Sequence, residues 1–338
     1  MTEKTHIKFS LAGILKTILF LAIGIGLVYY SLHQLNEKQK QEIVRSFYEA
    51  DYFWIGITFI IGILSHLMRS LRWTLLIKTF GFHPREKNTL SSLMVGYLAN
   101  LAVPRLGEVT RCAVLSKKEK IPVESLLGSV LAERLFDTLM LGLICALTYL
   151  SERKFLDELF KEKILNPLSS SLQKPSTLLI FLVLTGIIAV IFFVRKKKKE
   201  KSEKKNKLMT LFISFSEGLQ SIFKVKEKGL FFLYTGLMWF LYAATNYSAF
   251  LAFHNSIPAD WGMAFSVLVF GSFAMILVQG GIGAFPLFVM MALETYHIDK
   301  ATGLGYGWIV WTGQFLIILV MGIISLLILQ QKENGTRQ

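Results

Sequence analysis

Residues 126–150 read LLGSVLAERLFDTLMLGLICALTYL, an apolar run whose middle is interrupted by Glu133, Arg134 and Asp137. A helix needs about 20 apolar residues to cross the roughly 30 Å hydrocarbon core of a bilayer, so a run of this length is typical of a spanning helix. Three central charges cost about 8–10 kcal/mol on insertion scales, and the apolar side chains offset only about 4–7 kcal/mol of that. We therefore expect this helix to lie inside a bundle, with its charges in a polar interior.

The composition also assigns the chain to a membrane. Hydrophobic residues make up 53% of the 338 residues and the mean hydropathy is +0.50, far from the balance of soluble globular chains. The net charge of +14 comes from basic residues between the apolar runs, so we predict no nucleic-acid partner. Cys112 and Cys145 lie in or beside apolar segments and are interpreted as packing residues, so no disulfide, metal site or cofactor is predicted.

About six apolar runs are long enough to cross a bilayer as helices. They cover residues 10–32, 52–68 with a helical extension to 80, 125–150, 177–194, 229–253 and 304–329. Two further stretches, 89–103 and 261–297, are interrupted or closely followed by glycine and proline. The sequence thus predicts an all-α, polytopic membrane protein with one domain over residues 1–338. The first run is too long for the apolar part of a secretory signal, so we expect it to remain as an anchor.

The distribution of Lys and Arg predicts the orientation, because basic loops are retained in the cytoplasm. With the N-terminus inside, the cytoplasmic segments hold 26 Lys and Arg residues and the external segments hold nine. We therefore expect both termini to be cytoplasmic in a bacterial inner membrane. This orientation requires 89–103 to enter and leave from the cytoplasm and 261–297 to do so from outside. Two re-entrant elements of opposite entry are typical of inverted-repeat transporters, although no internal sequence repeat is evident.

The charges of the opening run need partners inside the bundle. Helical spacing puts Glu133 and Asp137 on one face, with Arg134 placed to pair with Asp137. This set has a net charge of −1, and further partners are sought among the nearby arginines Arg69, Arg72, Arg105 and Arg111. An alternative starts the span at Leu135 and leaves the three charges at the cytoplasmic interface.

Two breaks in the apolar pattern predict irregular backbone. Pro104 and Gly107 predict a turn, with Glu108 and Arg111 following as an i, i+3 pair. Irregular backbone at membrane depth occurs where it lines a cavity or is buried in protein. The segment QGGIGAFP, residues 279–286, has two open interpretations. Gly280, Gly281 and Gly283 mark either a kink for tight helix packing, or a broken helix whose backbone and Gln279 face a substrate path.

Residues 195–207 read RKKKKEKSEKKNK, with nine basic and two acidic side chains. A solvated cytoplasmic loop that fixes the topology accounts for this segment. Attraction to anionic lipid headgroups is a functional addition, worth about 1 kcal/mol per basic residue near the surface.

Four motifs in order carry a family resemblance. They are RSLRW at 69–73, LMVGYLANLAVPRLGEVTR at 93–111, AERLFDTLML at 132–141 and GGIGAF at 280–285. Over roughly residues 10–330 the chain resembles the membrane domain of lysylphosphatidylglycerol synthase/flippase proteins and their stand-alone relatives. The resemblance implies a lipid-translocating module with a hydrophilic cavity between two re-entrant regions.

The resemblance also implies which positions matter. The matching charged positions are Arg72, Arg105, Glu108, Arg111, Glu133, Arg134 and Asp137, and the matching glycine turn is formed by Gly280, Gly281 and Gly283. Full-length synthases carry a soluble aminoacyl-transfer domain after the membrane part, and here the chain ends nine residues past Leu329, so we expect no synthesis. Pro286 occupies a position where many relatives have an acidic residue. This difference weighs against a lipid that carries an aminoacyl cation.

Three functions remain in consideration. The leading one is a flippase-like transporter, not an enzyme, that moves an anionic or aminoacylated phospholipid or a polyprenyl-linked lipid between leaflets. The alternatives are an integral membrane enzyme acting on a lipid-linked substrate and a non-transporting accessory protein of envelope-lipid assembly. No HExxH motif is present, and the six histidines are scattered. The transported lipid and assembly as a homo-oligomer stay open.

Overall fold

The computed structural model describes residues 36–103, 106–159, 225–254 and 256–334, with a few isolated positions between 22 and 33. Throughout these ranges the secondary structure is helical and contains no strand. The α-helices are α1 (Glu37–Glu49), α2 (Tyr52–Lys78), α3 (Glu86–Ala102), α4 (Leu106–Glu119), α5 (Val123–Ser151), α6 (Arg153–Leu159), α7 (Lys228–Ala252), α8 (Trp261–Leu277), α9 (Ala284–Glu294) and α10 (Lys300–Asn334). A 3₁₀ turn, Gln279–Gly281, lies between α8 and α9.

By length and composition alone, two of the described helices could cross a membrane. They are α2 and residues 300–330 of α10. Helix α5 has 29 residues and α7 has 25. The predicted runs at 10–32 and 177–194, and the basic segment 195–207, lie outside the described residues.

Contacts between helix ends define two sides of the bundle. On the side where α2 ends, Lys78 forms an ion pair of 3.0 Å with Glu227, next to the start of α7. On the side where α2 begins, the Asp51 amide donates to the carbonyl oxygen of Ala252, at 2.9 Å. We call these the Lys78 side and the Asp51 side. Helices α2 and α7 therefore run antiparallel, and their contact is the most extensive in the bundle.

Two helical hairpins enter from opposite sides. Helices α3 and α4 pack on each other, and their free ends lie on the Lys78 side, because α3 follows α2 after a short loop. Helices α8 and α9 form the second hairpin. Its free ends lie on the Asp51 side, where the Tyr296 hydroxyl donates to Glu152, 3.0 Å away and just after α5.

The order of elements repeats in the two halves. A long helix, a hairpin and a second long helix occur as α2 to α5, with 27, 17, 14 and 29 residues, and as α7 to α10, with 25, 17, 11 and 35 residues. The packing follows the same pattern, since α10 contacts α3 and α5 contacts α8. The two halves thus share one architecture in opposite orientation, an arrangement common among transporters.

The first limb of each hairpin ends at a valine in extended backbone. Val103 has φ −137° and ψ 121°, and Val278 has φ −119° and ψ 116°. In the second hairpin, three glycines then take positive φ, namely Gly280 at 73°, Gly281 at 66° and Gly283 at 70°. Residues with a Cβ rarely adopt this conformation, so the glycines permit the chain to reverse within a few residues.

Candidate functional site

A buried cluster of charges joins α2, α4 and α5. Arg69 lies at its centre and donates to Glu133 Oε1 from both Nε, at 2.9 Å, and Nη2, at 2.6 Å. The same Nη2 donates to Asp137 Oδ2 at 2.8 Å. The Glu133 side chain is fully buried and that of Asp137 is 15% exposed. The spacing of four residues between the two acids places both on the face of α5 that meets α2.

Two further arginines complete the cluster. Arg72 Nη2 lies 2.6 Å from Asp137 Oδ1 and 3.9 Å from Glu133 Oε1. Arg111 on α4 lies 3.0 Å from Glu133 Oε2. The side chains of Arg72 and Arg111 are 0% and 2% exposed. Glu133 therefore contacts guanidinium groups of both neighbouring helices, which ties the first hairpin to the rest of the bundle.

The position of the cluster along the helices places it deep in the bundle. Arg69 precedes the end of α2 by nine residues, and Glu133 follows the start of α5 by ten. At 1.5 Å per residue these charges lie about 13–15 Å inside the Lys78 side. The alternative in which the span starts at Leu135, with the charges at a wet interface, disagrees with the burial of Glu133.

The tip of the first hairpin is closely packed, and this packing positions Arg111. A Cβ added to Gly107 would lie 2.1 Å from the carbonyl oxygen of Gly96, so only glycine permits this approach of α3 and α4. The Gly107 amide donates to Asn100 Oδ1 at 2.7 Å. Arg111, one turn further along α4, is directed by this contact toward α5, and its guanidinium lies 4.5 Å from the Trp73 ring.

Two sequence-based pairings were wrong. Arg134 pairs with Glu108 at 2.7 Å and not with Asp137, because it points away from the α2 face of α5 toward α4. The predicted i, i+3 pair of Glu108 and Arg111 does not form, since Arg111 contacts Glu133 instead. The Glu108–Arg134 pair lies outside the cluster, with both side chains 42% exposed.

Three of the arginines predicted as partners of the α5 charges are confirmed. Glu133, Arg134 and Asp137 sum to −1, and Arg69, Arg72 and Arg111 meet two of these three residues, Glu133 and Asp137. Among the described residues, the buried cluster thus contains three arginines and two acids, Arg69, Arg72, Arg111, Glu133 and Asp137, which gives a net charge of +1. Nε and Nη1 of Arg72 and of Arg111 are buried, and these atoms have no hydrogen-bond partner among the described residues.

Among the remaining candidate positions, the described glycine turn lies apart from the cluster. Pro104 and Arg105 are outside the described residues, and for Gln279 only the backbone is described. The glycine turn lies at the tip of the second hairpin, where Trp311 Nε1 donates to the Gly280 carbonyl at 2.7 Å. Gly281 packs against Met275 and Phe285. Within the described part of the chain, no contact joins this turn directly to the arginines.

Sequence reasoning missed three aromatic neighbours of the cluster. They are Trp73 below Arg111, Tyr242, whose hydroxyl lies 3.4 Å from Arg69 Nη1, and Tyr97, whose ring lies 5.3 Å from that of His66. Nothing in their spacing distinguishes them from packing aromatics. His66 also lines a cavity of about 80 Å³ between α2, α3 and α10. The cavity is otherwise apolar and is not lined by the charged residues of the cluster.

These features define the class of protein. The described chain is an all-helical bundle of two oppositely oriented halves, with a buried charge cluster surrounded by apolar helices. The protein belongs to the family of the lysylphosphatidylglycerol synthase transmembrane region, whose family model matches residues 17–324. The resemblance in the four sequence motifs is thereby confirmed, and the family places the protein in a membrane.

Two relatives of the chain are archaeal. UPF0104 membrane protein MJ1595 of Methanocaldococcus jannaschii is 30% identical over 135 residues, which are 39% of this chain and 38% of that protein. UPF0104 membrane protein MJ1078 of the same organism is 24% identical over 231 residues, 68% of this chain and 88% of that protein. The chain thus matches less than two thirds of MJ1595 and most of MJ1078. No solved structure matches the chain.

Proposed function

We propose that this protein is a lipid transporter that moves phospholipid or lipid-linked headgroups between the two leaflets. The observation that carries the proposal is the buried cluster around Glu133, which brings together charges from three helices inside the bundle. Ionisable residues inside a membrane are costly and mark substrate or ion pathways in most cases. Acyl chains can stay in lipid during transfer, so only the headgroup needs a polar route.

The arrangement of the hairpins supports a transport cycle. Each hairpin tip reaches into the bundle from its own side, and the cluster joins the tip of the first hairpin to α2 and α5. Rocking of one half against the other is the usual way in which inverted repeats expose a central site to each side in turn. In this proposal the structure is the closed form, and a headgroup reaches the arginines when α4 separates from α5.

The proposed orientation places the Lys78 side in the cytoplasm, with both termini there. The basic segment 195–207, which the sequence predicts to be cytoplasmic, would attract anionic headgroups of the inner leaflet. Under this proposal the protein carries out no covalent chemistry, and its partners are membrane lipids.

Transport is tested with purified protein in liposomes that contain phospholipids fluorescently labelled on an acyl chain. A membrane-impermeant reductant added outside bleaches the label as lipids reach the outer leaflet. We expect wild-type protein to accelerate bleaching of inner-leaflet lipid beyond protein-free liposomes. Glu133→Gln should slow transfer at least about tenfold, because losing one member of a buried charge pair costs about 2–5 kcal/mol.

The matched control is Arg153→Gln, which removes an ion pair with Asp157 from an exposed surface of α6. It should leave transfer unchanged. Unchanged transfer by a folded Glu133→Gln protein, or no transfer by wild type in liposomes of several lipid compositions, contradicts the proposal. Product formation from a lipid substrate by the purified protein would favour the enzyme alternative.

A further inference from the structure

The net charge of the cluster indicates the charge of the ligand that it would bind. Among the described residues, three guanidinium groups face two carboxylates, and these side chains are between 0% and 15% exposed. The Glu108–Arg134 pair beside them is neutral and does not alter the balance. A surplus charge removed from water is strongly unfavourable unless an opposite charge accompanies it. The cluster therefore favours a ligand that brings one negative charge.

Free donors indicate where that charge would bind. Nε and Nη1 of both Arg72 and Arg111 are buried, with no hydrogen-bond partner among the described residues. Their Nη2 atoms face the acids, at 2.6 Å from Asp137 and 3.0 Å from Glu133, so the acids hold each guanidinium from one end. The Trp73 ring lies 4.5 Å from the Arg111 guanidinium carbon and restricts its position. By contrast, Arg69 donates hydrogen bonds from Nε and Nη2 to the acids and from Nη1 to the Tyr242 hydroxyl.

We infer that Arg72 and Arg111 form a binding subsite for one phosphodiester anion, and that the cluster selects lipids whose headgroup has a net charge of −1. This inference rests on the proposed transport function and specifies its substrate class. A phosphodiester offers two acceptor oxygens, which suit the planar donor pairs of guanidinium groups. It also neutralises the surplus of one positive charge.

Other headgroups leave the cluster unbalanced. A zwitterionic headgroup leaves the surplus of +1, and an aminoacylated headgroup with a net positive charge increases it. A phosphomonoester, with a charge of about −1.5 to −2 near pH 7, overcompensates it. A subsite that selects a headgroup with a net charge of −1 thus differs in specificity from one that binds an aminoacylated lipid.

The test uses acyl-labelled phosphatidylglycerol, phosphatidylethanolamine, lysylphosphatidylglycerol and phosphatidic acid in otherwise identical proteoliposomes. Wild-type protein should move phosphatidylglycerol fastest, by about tenfold over the others, which corresponds to a difference of about 1.4 kcal/mol. Arg72→Gln lowers the surplus to zero and should abolish the preference for phosphatidylglycerol over phosphatidylethanolamine. Arg72→Lys keeps the charge and should retain most of the preference, and Arg153→Gln should retain all of it.

The outcomes separate this inference from the proposed function. Equal transfer of all four lipids, or a preference unchanged in folded Arg72→Gln, overturns the inference and leaves transport standing. If no lipid moves, the transport proposal fails. The subsite is then tested by calorimetric titration of detergent-purified protein with glycerophosphoglycerol, a soluble phosphodiester. Saturable binding lost in Arg72→Gln supports the anion subsite, and absence of binding to wild type overturns it.

A titration with inorganic phosphate distinguishes a lipid headgroup from a free anion. Weaker binding of inorganic phosphate than of glycerophosphoglycerol supports the lipid headgroup. Tighter binding of inorganic phosphate, together with transfer that is independent of the lipid, identifies a site for free phosphate and overturns the inference.

Discussion

Arg69 donates two hydrogen bonds to a single carboxylate oxygen of Glu133, from Nε at 2.9 Å and from Nη2 at 2.6 Å. The two residues are 64 positions apart in the chain and lie on different long helices, α2 and α5. Because Nη2 also reaches Asp137, at 2.8 Å, one guanidinium holds both acids of α5 against α2. The stability of the first half of the bundle therefore depends on a contact between charged side chains.

Replacing Arg69 with Gln should destabilise the protein by about 3–5 kcal/mol, because it leaves two buried carboxylates with fewer partners. The measurement is the unfolding free energy in detergent micelles. Arg153→Gln is the control and should change it by less than about 0.5 kcal/mol, since the Arg153 side chain is 68% exposed. An Arg69→Gln protein as stable as the control would mean that water, not Arg69, compensates the acids.

The hairpin tip gives a second prediction, based on glycine packing. In Gly96→Ala, the new methyl would lie 2.7 Å from the Gly107 carbonyl oxygen and 2.8 Å from Arg111 Cβ. The limbs of the hairpin must then separate, which displaces Arg111, and overpacking of this kind costs about 1–3 kcal/mol. We expect lower stability and slower lipid transfer together.

Gly142→Ala is the matched control for the hairpin tip. Gly142 is also within a helix, and a Cβ there meets no atom within 4 Å. Since Ala is favoured over Gly in a helix by about 1 kcal/mol, this variant should be equally or more stable than wild type. If Gly96→Ala resembled Gly142→Ala in both measurements, the close approach of α3 and α4 would be unnecessary for the fold.

Two residues of the glycine turn in the second hairpin permit the cost of backbone strain to be distinguished from the cost of steric crowding. Gly280 and Gly281 both have positive φ, but only at Gly281 would a Cβ collide, at 2.6 Å from Met275 Sδ. Gly280→Ala should cost about 1–2 kcal/mol from the left-handed backbone alone. Gly281→Ala should cost more, measured as the difference in unfolding free energy. Equal losses would indicate that Met275 moves aside freely.

Sequence reasoning reached the members of the cluster but not their pairing. Charges in apolar runs are conspicuous because the membrane penalises them, which is why the sequence alone makes Arg69, Arg72, Arg111, Glu133 and Asp137 candidates. Which arginine meets which acid depends on helix rotation, and helical spacing alone left Arg134 facing Asp137. The rotation of α5 turns Arg134 toward Glu108 on α4, so Arg134 does not belong to the buried cluster.

The all-helical class and the family were predictable for a similar reason, because apolar runs and the order of motifs can be identified in the sequence without knowing how the helices pack. The break at the glycine turn was visible as a cluster of Gly and Pro residues, but its position away from the arginines was not. Long-range placement of hairpin tips depends on contacts such as that between Gly281 and Phe285, which no local pattern encodes.

The Glu108–Arg134 and Arg111–Glu133 pairs both join α4 to α5, and their different burial gives the last prediction. A double-mutant cycle with Glu108→Gln and Arg134→Gln should yield a coupling energy of about 0.2–1 kcal/mol, because both side chains are 42% exposed and solvated. The cycle for Arg111→Gln and Glu133→Gln should yield about 2 kcal/mol or more, because the side chains are 2% and 0% exposed.

Unfolding in detergent measures both cycles, with the coupling taken as the departure from additivity of the single changes. Added salt sharpens the comparison, since it screens exposed pairs far more than buried ones. Raising the salt concentration should therefore weaken the Glu108–Arg134 coupling and leave the Arg111–Glu133 coupling nearly constant. Equal salt dependence of the two couplings would mean that the Glu133 site is wet, and water would then compensate its surplus charge without a phosphodiester ligand.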